Sequence, residues 1–247
     1  MKINILILFF ISQVILAQSA FEKGNQLYKK ENYSEAITSY ESILSSGNHS
    51  AELYFNLGNC YYKLHKVALS VYNYEKALQL NPNDDEIKTN LDFARKMTID
   101  DIKVIPKVGF NKLIDDFTSI YNYNTWAKLT VLFAFLFLCF FAGYYLSGTT
   151  FKKRIFFIGM FVVLLFITVS MSSGIYEKNR FDSEKQAIIF SESVSVKGEP
   201  KASSPETILL HEGTKVFIIE SIANWKKIQL TDETIGWISE DAIKELN

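Results

Sequence analysis

Residues 129–151 read LTVLFAFLFLCFFAGYYLSGTTF and residues 155–176 read IFFIGMFVVLLFITVSMSSGIY, with only Lys152-Lys153-Arg154 between them. Neither run carries a charge. Each reaches the ~20 apolar residues that cross a bilayer as a helix. The alternative is a buried helical pair in a soluble core, but soluble helices rarely run apolar on every face. The reading is therefore a transmembrane hairpin, with helices over 125–147 and 155–176 and a loop over 148–154. A basic loop faces the cytoplasm, which sends both flanking parts to the other side. Lys178, Arg180 and Lys185, just past the second run, weaken that charge signal. Trp126 and Tyr176 mark the outer edge as aromatic anchors, and Lys128 can snorkel there.

The start of the chain agrees with that topology. Lys2 precedes the apolar run Ile5–Ile11, then Val14, Ile15, Leu16 and Ala17. This pattern predicts a signal peptide over 1–17, cut after Ala17, although Ile15 is larger than the residue preferred three before the new end. Residue 18 onward is then delivered outside. Lys and Arg number 26 against 27 Asp and Glu, and no basic block occurs, which argues against a nucleic-acid partner. Cys60 and Cys139 fall in different parts of the chain, so no disulfide framework exists. His49, His65 and His211 are scattered singly. There is no nucleophile with a base, no phosphate-cradling glycine loop and no metal-ligand spacing, so no cofactor and no catalysis are expected.

Residues 18–98 repeat themselves. Gly24-Asn25 returns as Gly58-Asn59, Tyr28 as Tyr62, Tyr40 as Tyr74, and small Ala36 as small Ser70, all at an offset of 34. That period, with Tyr54-x-x-Leu57-Gly58-x-x-Tyr61 followed by Ser70-x-x-x-Tyr74-x-x-Ala77 and Pro82, resembles the tetratricopeptide repeat. Small Gly58, Ser70 and Ala77 let two antiparallel helices approach, while Tyr54, Leu57, Tyr61 and Tyr74 fill the space between pairs. In the first copy Ile43 and Asn48 depart from the usual small residue and proline. A further helix to about Lys96, capped at Asn83 or Asp84, shows Ile87, Leu91 and Ala94 on one face and closes the stack. The resemblance implies a concave face that binds protein segments, lined by Asn25, Tyr28, Asn56, Asn59 and Tyr62. Its carboxylate-gripping members also need basic residues, but Phe21, Glu86 and Asn90 stand in those places, so a different segment is expected. The same side chains could instead serve repeat packing. No base or cation flanks Cys60 at helical spacing, so an activated thiolate has little support.

Residues 99–124 form a link. Pro106 interrupts its start, and Phe110, Leu113, Ile114, Phe117, Ile120 and Tyr121 then recur at three- and four-residue steps. Asn111, Lys112, Asp115 and Asp116 take the other face. This predicts an amphipathic helix, lying in the membrane interface or docked on the repeat stack. A short linker at 177–184 leads out of the second span.

From residue 185 to residue 247 the pattern turns to short strands, at Ala187–Phe190, Val194–Lys197, Ile208–Leu210, Val216–Ile222, Trp225–Leu230 and Ile235–Ser239. The order V-x-V-K-G-x-P, L-x-E-G-T-x-V, W-x-x-I-x-L and G-W-I resembles the bacterial SH3-like domain. The resemblance implies a small all-β barrel that binds cell-wall peptides or proteins. Trp225 and Trp237 are its groove candidates, although Trp237, which follows Gly236 in a strand, is better suited to filling the core.

The whole is thus expected to be a multidomain membrane protein: an all-α repeat stack, a two-helix transmembrane hairpin and an all-β SH3-like barrel. That order resembles the BatE family of the Bacteroides aerotolerance (Bat) group. The resemblance implies a non-catalytic scaffold of the inner membrane, with both soluble parts periplasmic. It implies membrane-anchored von Willebrand A-type proteins as partners and a MoxR-type ATPase across the membrane. One alternative is a cell-wall sensor acting through the barrel. Another is a thiol-based oxidative-stress protein acting through Cys60.

Overall fold

The computed structural model describes residues 20–103 and 109–246. The signal peptide expected over 1–17 and Pro106 lie outside the described residues. The chain forms two compact units, one from Met1–Ile105 with Lys185–Asn247 and the other from Pro106–Glu184.

The first unit opens with a helical repeat. Helix α1 (20–29) pairs with α2 (Tyr33–Ser45), α3 (Ala51–Lys63) pairs with α4 (Val67–Leu80), and α5 (Asp85–Arg95) closes the stack. Ser50 caps α3 by accepting from the Leu53 amide, and Asp84 caps α5 by accepting from Glu86 and Ile87. The two turns inside the pairs match: Glu31 and His65, 34 positions apart, are both left-handed, at φ 62° and 55°. Gly24 and Gly58 explain the close approach within each pair. A Cβ there would sit 2.4 Å from the Tyr40 ring and 2.6 Å from the Tyr74 ring. Tyr40, Leu53, Leu57 and Tyr74 are fully buried. Tyr61, expected in the core, is only half-buried and donates its hydroxyl to Glu41 Oε1 at 2.7 Å.

The C-terminal part is a seven-stranded antiparallel sheet in the order β3-β2-β6-β5-β4-β1-β7. The strands are β1 (Lys185–Ile189), β2 (Ser193–Lys197), β3 (Glu206–His211), β4 (Lys215–Ile222), β5 (Trp225–Gln229), β6 (Ile235–Ser239) and β7 (Ile243–Glu245). Six of these were expected from the sequence; β7, which follows a short 3-10 turn at Glu240–Ala242, was not. Ile189, Val196, Leu210, Val216, Ile228 and Ile238 form the sheet's own core. Gly236 is needed where β2 and β6 meet, since a Cβ there would fall 2.2 Å from Val196.

Repeat and sheet do not stand apart. Ile188 and Leu246 of the sheet share one buried cluster with Tyr54, Val71, Tyr74, Ile87 and Leu91 of the helices. Around it α4 presents a row of polar and aromatic contacts. Glu75, 5% exposed, accepts from Arg95 at 2.7 Å and from Lys215 of β4 at 2.7 Å. Lys76 Nζ donates to the Leu246 carbonyl at 2.7 Å. The Tyr72 ring meets Phe190 edge-on at 5.7 Å, and the Lys244 ammonium lies 4.5 Å from the Tyr72 centroid. Beyond α5 the link clips to the sheet. Asp100 accepts from the His211 amide at 2.6 Å, from His211 Nδ1 at 2.8 Å and from Thr214 Oγ1 at 2.6 Å. The stretches expected as separate domains over 18–98 and 185–247 therefore share one core.

The second unit holds α6 (Phe110–Thr118), α7 (Tyr123–Leu146) and α8 (Thr150–Ser183). Helices α7 and α8 are long and apolar enough to cross a membrane, with mean hydropathy 2.2 and 2.6 over their most apolar windows. They pack by fitting rings against glycines, Phe156 on Gly143 and Phe140 on Gly159. Thr130 Oγ1 also donates to Ser170 Oγ at 2.9 Å. Two features differ from the sequence reading. Lys152, Lys153 and Arg154 lie within the first five residues of α8, so the non-helical connection shrinks from 148–154 to 147–149. Trp126, expected as an interfacial anchor, is buried and donates Nε1 to the Thr118 carbonyl at 2.8 Å, between the Phe117 and Tyr121 rings.

Candidate partner-binding groove

Antiparallel pairing places α1, α3 and α5 side by side, because each returning helix must pack behind its partner. Asn25 sits on α1, Asn56 and Asn59 on α3, and Asn90 on α5, all half-buried. Asn25 Oδ1 accepts the Tyr40 hydroxyl at 2.6 Å and Asn56 Nδ2 at 3.1 Å. One repeat later, Asn59 Oδ1 accepts the Tyr74 hydroxyl at 2.6 Å and Asn90 Nδ2 at 2.9 Å. The same three-residue rung is built twice, each member shifted by 34. Burial raises the Tyr40 and Tyr74 phenols well above their ordinary value, so both are protonated donors at neutral pH.

This bonding fixes which way each amide points. The Asn25 and Asn59 oxygens are occupied, and among the described residues no protein group bonds their Nδ2 atoms or the Oδ1 atoms of Asn56 and Asn90. The row therefore offers alternating donors and acceptors, the two functions an extended backbone needs. Tyr28 and Tyr62 flank it half-buried, with the Tyr28 ring edge-on to Tyr33 at 5.3 Å. Burial, then the neighbouring Tyr33 and Cys60, raises the Tyr28 phenol above its ordinary value.

The structure thus brings Asn25 together with Asn56, and Asn59 together with Asn90. Asn90 was read from the sequence only as a missing cation. Its offset of 34 from Asn56 was the signal that marks it as a rung member. The packing reading holds in part, because the Asn25 and Asn59 oxygens serve the fold.

Cys60 offers no thiol chemistry. It is fully buried in the first-repeat core, and burial pushes its thiol up to about 12, so thiolate is scarce at neutral pH. In the sheet, Trp237 faces Lys227 across the β5–β6 ladder, and Trp225 lies two positions before Lys227. Both tryptophans therefore share the face opposite Ile228 and Ile238. Trp225 is half-buried and Trp237 is buried, with the Lys227 ammonium 5.8 Å from its centroid.

A tetratricopeptide-repeat family model matches residues 51–84, covering α3, α4 and the turn before α5. Sperm-associated antigen 1 of Rattus norvegicus is 33% identical over 79 residues, which is 32% of this chain and 9% of that protein. Hsp70-Hsp90 organizing protein 1 of Glycine max is 36% identical over 67 residues, 27% of this chain and 12% of that protein. The chain spans about a tenth of the length of these relatives. Helices α3 and α4 are therefore a tetratricopeptide repeat.

Proposed function

We propose that the chain is a non-catalytic scaffold of the inner membrane whose repeat groove holds an extended segment of a protein partner. The observation that carries this reading is the twice-built Tyr–Asn–Asn rung, with its outward amide donors and acceptors. Rigid, correctly spaced amides lose little entropy on meeting a backbone, and Tyr28 and Tyr62 add aromatic contact area. Helices α7 and α8 anchor the scaffold in the membrane, with Lys152, Lys153 and Arg154 on the cytoplasmic side. The finer assignment follows the resemblance to the Bat group: both soluble parts are periplasmic, and the segment belongs to a membrane-anchored von Willebrand A-type protein.

The test uses the full chain in native membranes, with a photoreactive residue replacing Tyr62. Asn56→Ala with Asn90→Ala removes the outward acceptors but leaves the Tyr40–Asn25 and Tyr74–Asn59 bonds in place. That makes it a cleaner probe than removing Asn25 and Asn59, whose loss would orphan two buried hydroxyls. The adduct should be a protein and should fall at least tenfold in the double variant, the ~1.4 kcal/mol expected from losing a hydrogen bond or two. Trp225→Ala should leave it unchanged. An undiminished adduct in the folded double variant would reject the groove.

A second reading, cell-wall binding by an SH3-like barrel, is favoured by one observation: Trp225 and Trp237 share one face of β5–β6. It moves ahead if the full chain sediments with purified cell wall and Trp225→Ala abolishes this.

A further inference from the structure

Helix α6 and the Thr168–Tyr176 stretch of α8 line an open apolar notch of about 490 Å³. Phe110, Leu113 and Phe117 form one wall, and Val169, Ser172 and Ser173 form the other. Leu113 is 65% exposed and Phe110 is 74% exposed. Asn111, Lys112 and Asp116 occupy the rest of the α6 surface, where Lys112 pairs with Asp116. An isolated nine-residue helix of this kind would not persist in water.

What holds α6 in place sits at its C-terminal end, where polar bonds accompany the Phe117–Trp126 ring contact. Thr118 Oγ1 donates to Glu177 Oε1 at 2.6 Å, and Arg180 Nη2 donates to Glu177 Oε2 at 2.6 Å. Tyr176 donates to Asp115 at 2.7 Å. Thr118 and Glu177 are both buried. The apolar wall of α6 is therefore fixed in position without being covered. Met171 and Ile175 of α8, and Phe161 and Leu165 earlier on the same helix, are exposed as well. This is the surface that a membrane hairpin turns to lipid.

We propose that the notch takes one acyl chain of a phospholipid from the outward-facing leaflet, with α6 lying in the plane of the headgroups. This rests on α7 and α8 spanning a bilayer. The notch is open, and its α6 wall belongs to an amphipathic helix at the end of the hairpin, so the lipid around the hairpin is what meets it. An unbranched chain fits such a notch, and the small Ser172 and Ser173 leave it room. The amphipathic division of α6, with apolar residues toward the notch and Lys112 and Asp116 away from it, is the arrangement an in-plane helix needs.

The test places the full chain in nanodiscs of phosphatidylcholine carrying a mid-chain diazirine, and maps the photo-adducts. Residues 110–117 and 168–176 should label several-fold more than the exposed α7 positions Leu132 and Phe135. Ser172→Phe, which fills the notch, should abolish the α6 adduct and spare those on α7. Ser172→Ala should label as wild type. Leu113→Asn, at an exposed site that folding does not need, should lower the α6 adduct. Equal labelling of α6 and α7, or an α6 adduct that survives Ser172→Phe and Leu113→Asn, overturns the proposal. Absence of any α7 adduct overturns the membrane reading beneath it. A photoreactive residue at Leu113 that captures protein instead of lipid assigns the notch to a partner and overturns the lipid assignment.

Discussion

Glu41 and Glu75 hold the same place in successive repeats, and each accepts a hydrogen bond from the residue 20 positions on, Tyr61 in one case and Arg95 in the other. Glu41 is exposed, whereas Glu75 is buried and also holds Lys215 of the sheet. Their neighbours diverge in the same way. Exposed Thr38 and Ser42 of the first repeat correspond to Tyr72 and Lys76 of the second, which touch Phe190 and Leu246. The inner rungs show no such divergence, with Tyr40–Asn25–Asn56 and Tyr74–Asn59–Asn90 differing by no more than 0.2 Å in any bond. The inner face must repeat, because every helix pair packs on the next by the same geometry. The outer face is under no such constraint, and the second repeat uses it to hold the sheet.

The largest difference is expected between the two glutamates. Glu75→Ala strands Arg95 and Lys215 beside a buried core, and should cost about 2–4 kcal/mol, less than a fully buried pair because Arg95 is half exposed. Glu41→Ala should stay within about 0.5 kcal/mol, as surface changes do. Thermal unfolding of the two variants in detergent measures this, and similar losses would refute the outer-face distinction. A smaller effect sharpens the inner-face likeness. Tyr40→Phe and Tyr74→Phe each remove one buried hydrogen bond and should each cost about 1 kcal/mol. Losses that differ by more than the measurement error would mean that the rungs are not equivalent.

The smallest effect is in acid. Burial alone would raise Asp100, but the Thr214 and His211 hydrogen bonds outweigh it and hold its carboxyl below the ordinary value. A carboxyl lowered in the folded state is protonated more readily in the unfolded chain. Its contribution is therefore complete above the unfolded value of about 3.9 and is lost as pH falls through the folded one. Glu75 is lowered too, by Lys215 and Arg95 against the opposing effect of its burial, so the sign is the same. The melting temperature of wild type should drop between about pH 5 and pH 3, and Asp100→Asn should make that drop shallower. Parallel curves would show that the Asp100 clip does not form.

Much of this was legible in the sequence because its signals are local. The 34-residue offset requires only Gly24/Gly58 and Tyr40/Tyr74, and those glycines are where the tyrosine rings press. Six strands announce themselves by alternation. Strand β7 does not, being three residues long with two of them charged. The joint between repeat and sheet was not legible. Tyr72, Glu75 and Lys76 look like an ordinary solvated helix face until Ile188, Lys215 and Leu246 arrive from more than 100 positions away. Trp126 misled for a related reason, since the carbonyl of Thr118 that takes its N–H comes from a helix whose docking is set by Glu177, 59 positions from Thr118. The asparagines brought together by the fold were legible from their shared face, but the tyrosine that turns each amide lies on the returning helix, 15 positions on.

The most direct test of a repeat stack and sheet that fold as one body is a double-mutant cycle between Glu75 and Lys215, 140 positions apart. Glu75→Gln, Lys215→Met and the double variant would be unfolded by urea in the full chain, held in detergent. A coupling of about 1–3 kcal/mol is expected, as for residues in one ion-pair network, with the sheet signal and the repeat's share of the helical signal lost together. Additivity within about 0.3 kcal/mol, with the sheet melting independently of the helices, would contradict it.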